Sequence, residues 1–179
     1  LSGIANDCGV TQATVKSWLS VLEASGIVKL LRPYFKNFNK RLVNSPKLDF
    51  IDRAWQPSLW VLTIPADKLA PAQGSLFESL VVSELLKQRF NTVKIDNLYY
   101  FRDNVGNEID VVLDFGAHTV PVEVKSGLTV SDEFFKGLRY YSALDKIAKN
   151  PILIYGGDKS YRRADIRVFG WRDIRQINS

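Results

Sequence analysis

The chain has 179 residues, of which 46% are hydrophobic and 24% are charged, proportions that are ordinary for a soluble globular protein. Its formal net charge of +5 is compatible with an anionic partner such as nucleic acid. No apolar run reaches the roughly 20 residues that a membrane-spanning helix needs, and a single cysteine, Cys8, excludes an internal disulfide. We therefore expect a cytoplasmic protein without a membrane partner.

The start of the chain suggests a longer protein. The sequence contains no methionine and begins with Leu1, directly before a predicted helix. A complete translation product would begin with Met, which is not normally removed before a bulky Leu. We therefore expect this chain to be the C-terminal part of a larger protein.

Residues 1–45 are predicted to form a small winged helix-turn-helix domain. Thr11 is a favourable N-cap, and Gly26 ends the second helix before a short strand at residues 27–31. Apolar side chains recur at helical spacing in that second helix, at Val15, Trp18, Leu19 and Leu22.

This N-terminal part carries the candidate nucleic-acid contacts. The second helix would present Gln12, Thr14 and Lys16 to DNA. The following wing would contact phosphates through Lys36, Lys40 and Arg41. Winged helices also dock other proteins, and the basic wing also fits a solvated loop, so both alternatives stay open.

Residues 46–73 are predicted to be a connecting segment with a short strand near its start. A larger domain is predicted for residues 74–179, in the element order αβββαβ. This order predicts a mixed sheet flanked by helices. Its helices are expected at Leu76–Phe90 and Asp132–Leu144, and its strands at Leu98–Arg102, Ile109–Phe115, Val120–Val124, Pro151–Tyr155 and Ile166–Phe169.

Two of these strands carry residues suited to phosphodiester hydrolysis, which needs divalent cations held by carboxylates and a group that orients the attacking water. Asp110 lies near the start of one strand. Glu123 and Lys125 lie two residues apart on the next strand, and therefore on the same face. If the strands pair, Asp110 can lie beside Glu123. Taken alone, Glu123 and Lys125 also fit an ordinary exposed ion pair.

Glu78 is the fourth candidate. It falls within the apolar face of the helix Leu76–Phe90, where a carboxylate is costly unless it has a partner such as a metal ion. A helix-edge glutamate that reaches water is the simpler alternative. Glu84 is a rival acid on the same helix, and we favour Glu78.

Glu78, Asp110 and the segment Glu123–Lys125 resemble the PD-(D/E)XK nuclease superfamily, which includes restriction endonucleases and Holliday-junction resolvases. The chain is more closely similar to domain of unknown function 4143, the C-terminal part of many bacterial and archaeal AAA-type ATPases. This closer resemblance rests on the segments Gly74–Glu78, Val81–Leu85, Phe101–Asp103, Asn107–Asp110 and Glu123–Gly127.

The resemblance implies a restriction-endonuclease-like fold and a Mg²⁺- or Mn²⁺-dependent nuclease that acts on DNA. Asp110, Glu123 and Glu78 would hold the metal, and Lys125 would stabilise the transition state or orient water. An ATPase module upstream in the same chain would be the partner. The alternative is a catalytically inactive module of the same fold that binds DNA or a partner and regulates the ATPase.

Overall fold

The computed structural model describes residues 2–35, 42–43, 45–51 and 69–177. Its N-terminal part contains two helices, α1 (Ser2–Cys8) and α2 (Gln12–Ala24), followed by two strands, β1 (Val28–Pro33) and β2 (Lys47–Phe50). The order helix, helix, strand, strand agrees with the sequence prediction for this part.

The two N-terminal helices form a small apolar cluster of their own. Thr11 caps α2 as predicted, because its Oγ1 accepts a hydrogen bond from the Thr14 N–H over 3.1 Å. Val15 and Leu19 are buried against Ala5. The expectation that Trp18 shares this buried face is wrong, since 49% of its surface is exposed.

Strand β1 connects this N-terminal part to the rest of the molecule. It pairs antiparallel with β2 and parallel with the next strand of the chain, β3 (Leu98–Arg102). One sheet therefore contains strands from both sides of the domain boundary predicted near residue 45. The pairing of β1 with β2 and β3 was not predicted from the sequence. The division into two domains stays a prediction.

The remaining elements follow the predicted order with changed bounds. Helix α3 begins seven residues before its predicted start, and the helix predicted at residues 132–144 divides into a 3-10 turn and an α-helix. The strand β7 and the last 3-10 helix were not predicted. The observed bounds are α3 (Leu69–Asn91), β4 (Glu108–Asp114), β5 (Thr119–Lys125), a 3-10 turn (Asp132–Phe135), α4 (Lys136–Leu144), β6 (Ile152–Tyr155), β7 (Tyr161–Arg163), β8 (Ile166–Gly170) and a 3-10 helix (Trp171–Gln176). In the described ranges, no helix is both long and apolar enough to cross a membrane.

The described strands form an eight-stranded mixed sheet in the order β2-β1-β3-β4-β5-β6-β8-β7. Helix α3 packs on one face, where Val81 and Leu85 contact the β-strand core. Helix α4 packs on the other face, where Leu138 and Tyr141 are fully buried. A mixed sheet flanked by helices is therefore confirmed.

The turn between β3 and β4 is fixed by Asp103, which is 1% exposed. Its carboxylate accepts hydrogen bonds from the Asn107 N–H (2.9 Å), the Val105 N–H (3.1 Å) and the Tyr140 hydroxyl (2.6 Å). Burial alone would raise the pKa of Asp103, but these hydrogen bonds outweigh it and lower the pKa. The turn precedes the strand that carries Asp110, so Asp103 helps to position that residue.

We predict that Asp103→Ala lowers the free energy of unfolding by about 2 kcal/mol at pH 7, because four donors, the Asn107 side-chain amide among them, lose their acceptor. The pKa of Asp103 is lower in the folded state than the value of about 3.9 expected when unfolded. Its contribution is therefore present above that value and lost as the pH falls through the folded pKa. Urea unfolding between pH 3 and pH 7 measures both effects.

Asp165→Ala is the matched control, because Asp165 lies exposed in the turn between β7 and β8. It should leave stability nearly unchanged. Equal losses in the two variants, or a loss in Asp103→Ala that does not shrink in acid, would contradict this role of Asp103.

Candidate functional site

Asp110 lies at the centre of a group of charged side chains at one end of β4 and β5. The two strands pair with Val111 opposite Val122, and one further step of this register sets Asp110 opposite Glu123. The Val124 N–H donates to Asp110 Oδ2 over 2.8 Å. The predicted proximity of Asp110 and Glu123 follows from this pairing.

Glu123 and Lys125 form an ion pair along β5, with Lys125 Nζ 2.6 Å from Glu123 Oε1. They share a face, as the strand periodicity predicts. Val122 and Val124, which alternate with them, face α3 instead, and only 10% of the Glu123 side chain is exposed. The pair is therefore a mostly buried one, unlike the exposed pair of the simpler alternative.

Lys47 of β2 connects the helix to this strand pair. Its ammonium forms ion pairs with Glu78 of α3, with Glu108 over 2.9 Å and with Asp110 over 3.7 Å. Glu78 thus reaches Asp110 through a shared lysine. Lys125 is a second charged neighbour of Asp110, and its charge, like that of Lys47, acts to lower the pKa of Asp110.

Asp49 is a further buried acid of the cluster. It lies two residues after Lys47 on β2, is 3% exposed, and accepts a hydrogen bond from the Ser79 hydroxyl of α3 over 3.0 Å. Because Ser79 adjoins Glu78, this bond fixes the helix against β2 where the acidic residue projects.

Negative charge is in excess at this corner. Among the described residues, five carboxyl groups meet two lysines, with Arg102 at the edge, 3.8 Å from Glu108. The five acids are Asp49, Glu78, Glu108, Asp110 and Glu123. Burial followed by repulsion from Asp110 raises the pKa of Glu78 to about 7 and that of Glu123 to about 8.

Two observations indicate that the cluster suits a cation. Among the described residues, Glu123 Oε2 is buried without a hydrogen-bond partner, whereas the buried Glu78 Oε1 contacts the Lys47 ammonium. Gly137 of α4 leaves space beside Glu123, since a Cβ there would lie 3.3 Å from Glu123 Oε2. Oxygen ligands of this kind are the ones that Mg²⁺ and Mn²⁺ prefer.

The acids do not form a preassembled cage. Among the described residues, no three acidic, histidine or cysteine side chains are placed to hold a metal ion together. Lysine ammonium groups lie between the carboxylates instead, as the contacts of Lys47 and Lys125 show. A metal would therefore have to displace at least one ammonium, Lys47 being the one in contact with three acids.

The rival acid Glu84 lies elsewhere on α3. It forms ion pairs with Lys87 over 3.5 Å and with Arg175 over 4.0 Å. It therefore takes part in contacts between α3 and the C-terminal 3-10 helix. The structure brings Glu78, and not Glu84, to Asp110.

The candidate nucleic-acid residues that the structure describes all lie on α2. Gln12 and Lys16 are exposed on α2, whereas Thr14 is half-buried and its hydroxyl is 2.9 Å from that of Thr11. The wing residues Lys36, Lys40 and Arg41 lie outside the described residues. DNA contact by these residues stays a prediction.

Sequence reasoning missed Lys47, Asp49 and Glu108 as members of the cluster. Lys47 and Asp49 alternate on a short strand, which is the pattern of two residues on one face. Their proximity to Asp110 depends on the pairing of β2, β1 and β3, which the sequence pattern does not reveal. Glu108 lies only two positions before Asp110 in the sequence. It was therefore easier to predict as a member of the cluster than Lys47 or Asp49.

Comparison with known proteins gives two family matches. A family model described as a domain of unknown function (DUF4143) matches residues 73–174. Another domain of unknown function (DUF8612) matches residues 1–61. Uncharacterized proteins of Mycobacterium bovis and Mycobacterium tuberculosis are each 27% identical over 132 residues. These matches cover 72% of this chain and only 28% of each relative's length.

We predict that Glu123→Gln stabilises the metal-free protein at high pH by about 1–2 kcal/mol, because it removes one of the crowded charges. The pKa of Glu123 rises from 4.5 to about 8 on folding. An acid with a raised folded pKa destabilises the fold progressively between those two values. The gain should therefore be small at pH 5 and largest above pH 8, measured by urea unfolding in EDTA.

Glu133→Gln serves as the control, since Glu133 is exposed and its pKa is lowered by a hydrogen bond and the charge of Lys136. It should show no gain at high pH. A Glu123→Gln variant that is no more stable at pH 9 than at pH 5, relative to the native chain, would refute charge crowding at this residue.

Proposed function

We propose that this chain, which belongs to the DUF4143 family, is a metal-dependent nuclease module of a larger protein and acts on DNA. The observation that supports this most is the position of Asp110, between Glu78 of the helix on one side and Glu123 with Lys125 on the other. These residue types on a helix and two paired strands are the set that the PD-(D/E)XK resemblance implies.

In this proposal Glu78, Asp110 and Glu123 hold Mg²⁺ or Mn²⁺. The bound metal would polarise a phosphoryl oxygen and make water a better nucleophile. Asp110 is oriented for this task by the Val124 N–H, which fixes one of its oxygens. Burial keeps bulk water away from the carboxylates and strengthens their electrostatic interactions.

Lys125 would stabilise negative charge that develops on the phosphate. Its side chain is 36% exposed, more than that of Glu123, so its ammonium can reach a substrate at the surface while Glu123 holds it in place. Gly156 supports this end of the strand, because its N–H donates to the Lys125 carbonyl over 3.1 Å. A Cβ on Gly156 would lie 2.3 Å from the Ser126 carbonyl oxygen, so the glycine permits this close approach.

The wider context of the proposal comes from the N-terminal part and from the relatives. Exposed Gln12 and Lys16 on α2 suit a winged helix that contacts duplex DNA. The matched region is 28% of each mycobacterial relative, which leaves room there for another module. We propose that an ATPase module of the same chain regulates the nuclease in the cytoplasm.

A second candidate function is favoured by Lys47. Its ammonium contacts Glu78, Glu108 and Asp110, so it can serve as the resident cation of the cluster. The same charges raise the pKa of Lys47 despite its burial, which keeps it protonated. In this case the domain is a catalytically inactive module that binds DNA or a partner and regulates the ATPase.

For the nuclease, we predict that plasmid DNA is cleaved in Mg²⁺ or Mn²⁺, and that Asp110→Asn and Lys125→Met each reduce the rate at least 100-fold. Asp110→Asn should also weaken Mn²⁺ binding at least tenfold in calorimetry, because a ligand is lost. Lys125→Met should retain the metal, because it removes only a group that acts on the phosphate.

Glu84→Gln is the matched control, since it changes an acid on the same helix that pairs with Lys87 away from Asp110. It should cleave like the native chain. Cleavage that persists in Asp110→Asn, or that Glu84→Gln abolishes equally, would count against the assigned site.

The two candidate functions differ in their response to Lys47→Met. If Lys47 is the permanent cation, the native chain binds no Mn²⁺ at millimolar concentration and the variant does, because three carboxylates lose their counter-ion. If the cluster is a metal site, the native chain already binds Mn²⁺. Electron paramagnetic resonance of free Mn²⁺ measures binding in both chains, with Lys29→Met, which removes an ion pair to Asp96, as the control.

A further inference from the structure

A cavity of about 630 Å³ lies at the far end of β4 from Asp110. It is formed by the C-terminal end of α3, the segment before β3 and the turn after β4. Arg89 and Glu78 are eleven residues apart on α3, which corresponds to about 16 Å along a helix. The cavity is therefore separate from the acidic cluster, and its volume is in the usual range for small-molecule sites, about 300–1,000 Å³.

Arg89 lines this cavity and carries a positive charge that the described residues do not neutralise. It is 2% exposed, and its Nε and Nη2 atoms are buried without a hydrogen-bond partner. No described carboxylate forms an ion pair with it. Burial lowers the pKa of Arg89, with no opposing effect of an acid. An unpaired buried guanidinium is costly for a fold and indicates a missing anion.

The ring of Phe115 packs on the guanidinium, 4.9 Å from Arg89 Cζ to the ring centroid. Phe115 is itself 44% exposed and also stacks on His118. The ring and the exposed side chain of Ile95 give the cavity an apolar wall.

Asn97 supplies a second unsatisfied group in the same cavity. Its amide Nδ2 donates to the Asp114 carbonyl over 2.6 Å, whereas its buried Oδ1 has no hydrogen-bond partner in the described ranges. The two acids that line the cavity are already engaged: Asp114 accepts from the Gly116 N–H over 2.8 Å, and Asp96 pairs with Lys29 and accepts from the Leu98 N–H. Their charges favour a ligand with a single negative charge over a dianion.

We propose that this cavity binds an organic monocarboxylate that bears an apolar ring and an N–H or O–H donor. The carboxylate pairs with Arg89, the donor binds Asn97 Oδ1, and the ring lies against Phe115. A planar guanidinium suits a carboxylate because it can donate two parallel hydrogen bonds.

The test uses the full chain with N-acetyl-L-phenylalanine as the probe and its uncharged amide as the matched ligand. In ¹⁵N-resolved NMR titrations we expect the acid to bind with a Kd of about 1 mM, to shift resonances of residues 89–97 and 114–118, and to bind at least tenfold more tightly than the amide. Arg89→Met should weaken the acid at least tenfold. Lys87→Met, on the same helix but outside the lining of the cavity, should change its Kd less than threefold.

Melting of the free chains provides a second readout. Arg89→Met should raise the Tm by about 2–4 °C, because it removes a buried charge that lacks a partner, whereas a structural arginine would lower the Tm when replaced. Equal binding of acid and amide, unchanged binding of the acid by Arg89→Met, or tighter binding of inorganic phosphate than of the acid would each overturn the proposal.

Discussion

The charge imbalance around Asp110 is the constraint on which the site depends. In the described part of the chain, five carboxyl groups are gathered where β2, α3, β4 and β5 meet, and two lysines lie among them. Such crowding costs stability unless cations compensate it, because buried like charges repel strongly at low dielectric. The destabilising charges are confined to one end of β4 and β5. The two apolar clusters on the faces of the sheet stabilise the rest of the fold. Crowded, desolvated acids are typical of sites that bind a cation.

Lys47 decides how this imbalance is resolved. Its ammonium contacts three of the acids, and the strand that carries it is fixed to α3 by the hydrogen bond from Ser79 to Asp49. A lysine in this place can yield to a divalent metal, since it lies on a long flexible side chain that is 27% exposed. It can equally remain as the permanent counter-ion. The catalytic and the regulatory candidate functions differ at this one side chain.

Much of this arrangement could be predicted from the sequence. The alternation of Glu123 and Lys125 with valines placed both on one face of β5, and the apolar surroundings of Glu78 indicated a carboxylate that needs a partner. Most elements of residues 74–179 are local patterns and could be predicted, whereas strand β7 and the last 3-10 helix were missed. Lys47 could not be placed, because its position depends on β1 pairing with β3, in which partners such as Arg32 and Tyr99 are 67 positions apart in the sequence. Trp18 was misplaced because helical spacing alone does not say how wide the buried face of α2 is. The burial of Arg89 without an ion pair to any described residue could not be predicted either. An arginine near a helix C-terminus is expected to reach solvent.

The most direct test of the account is a crystal structure of the chain grown with Mn²⁺, with diffraction data collected at the manganese absorption edge. We predict an anomalous peak within coordination distance of Asp110 and Glu123, with the Lys47 ammonium moved away from Asp110. Crystals that diffract well, contain no such peak at millimolar Mn²⁺ and retain the ion pairs from Lys47 to Glu78 and Asp110 would contradict it.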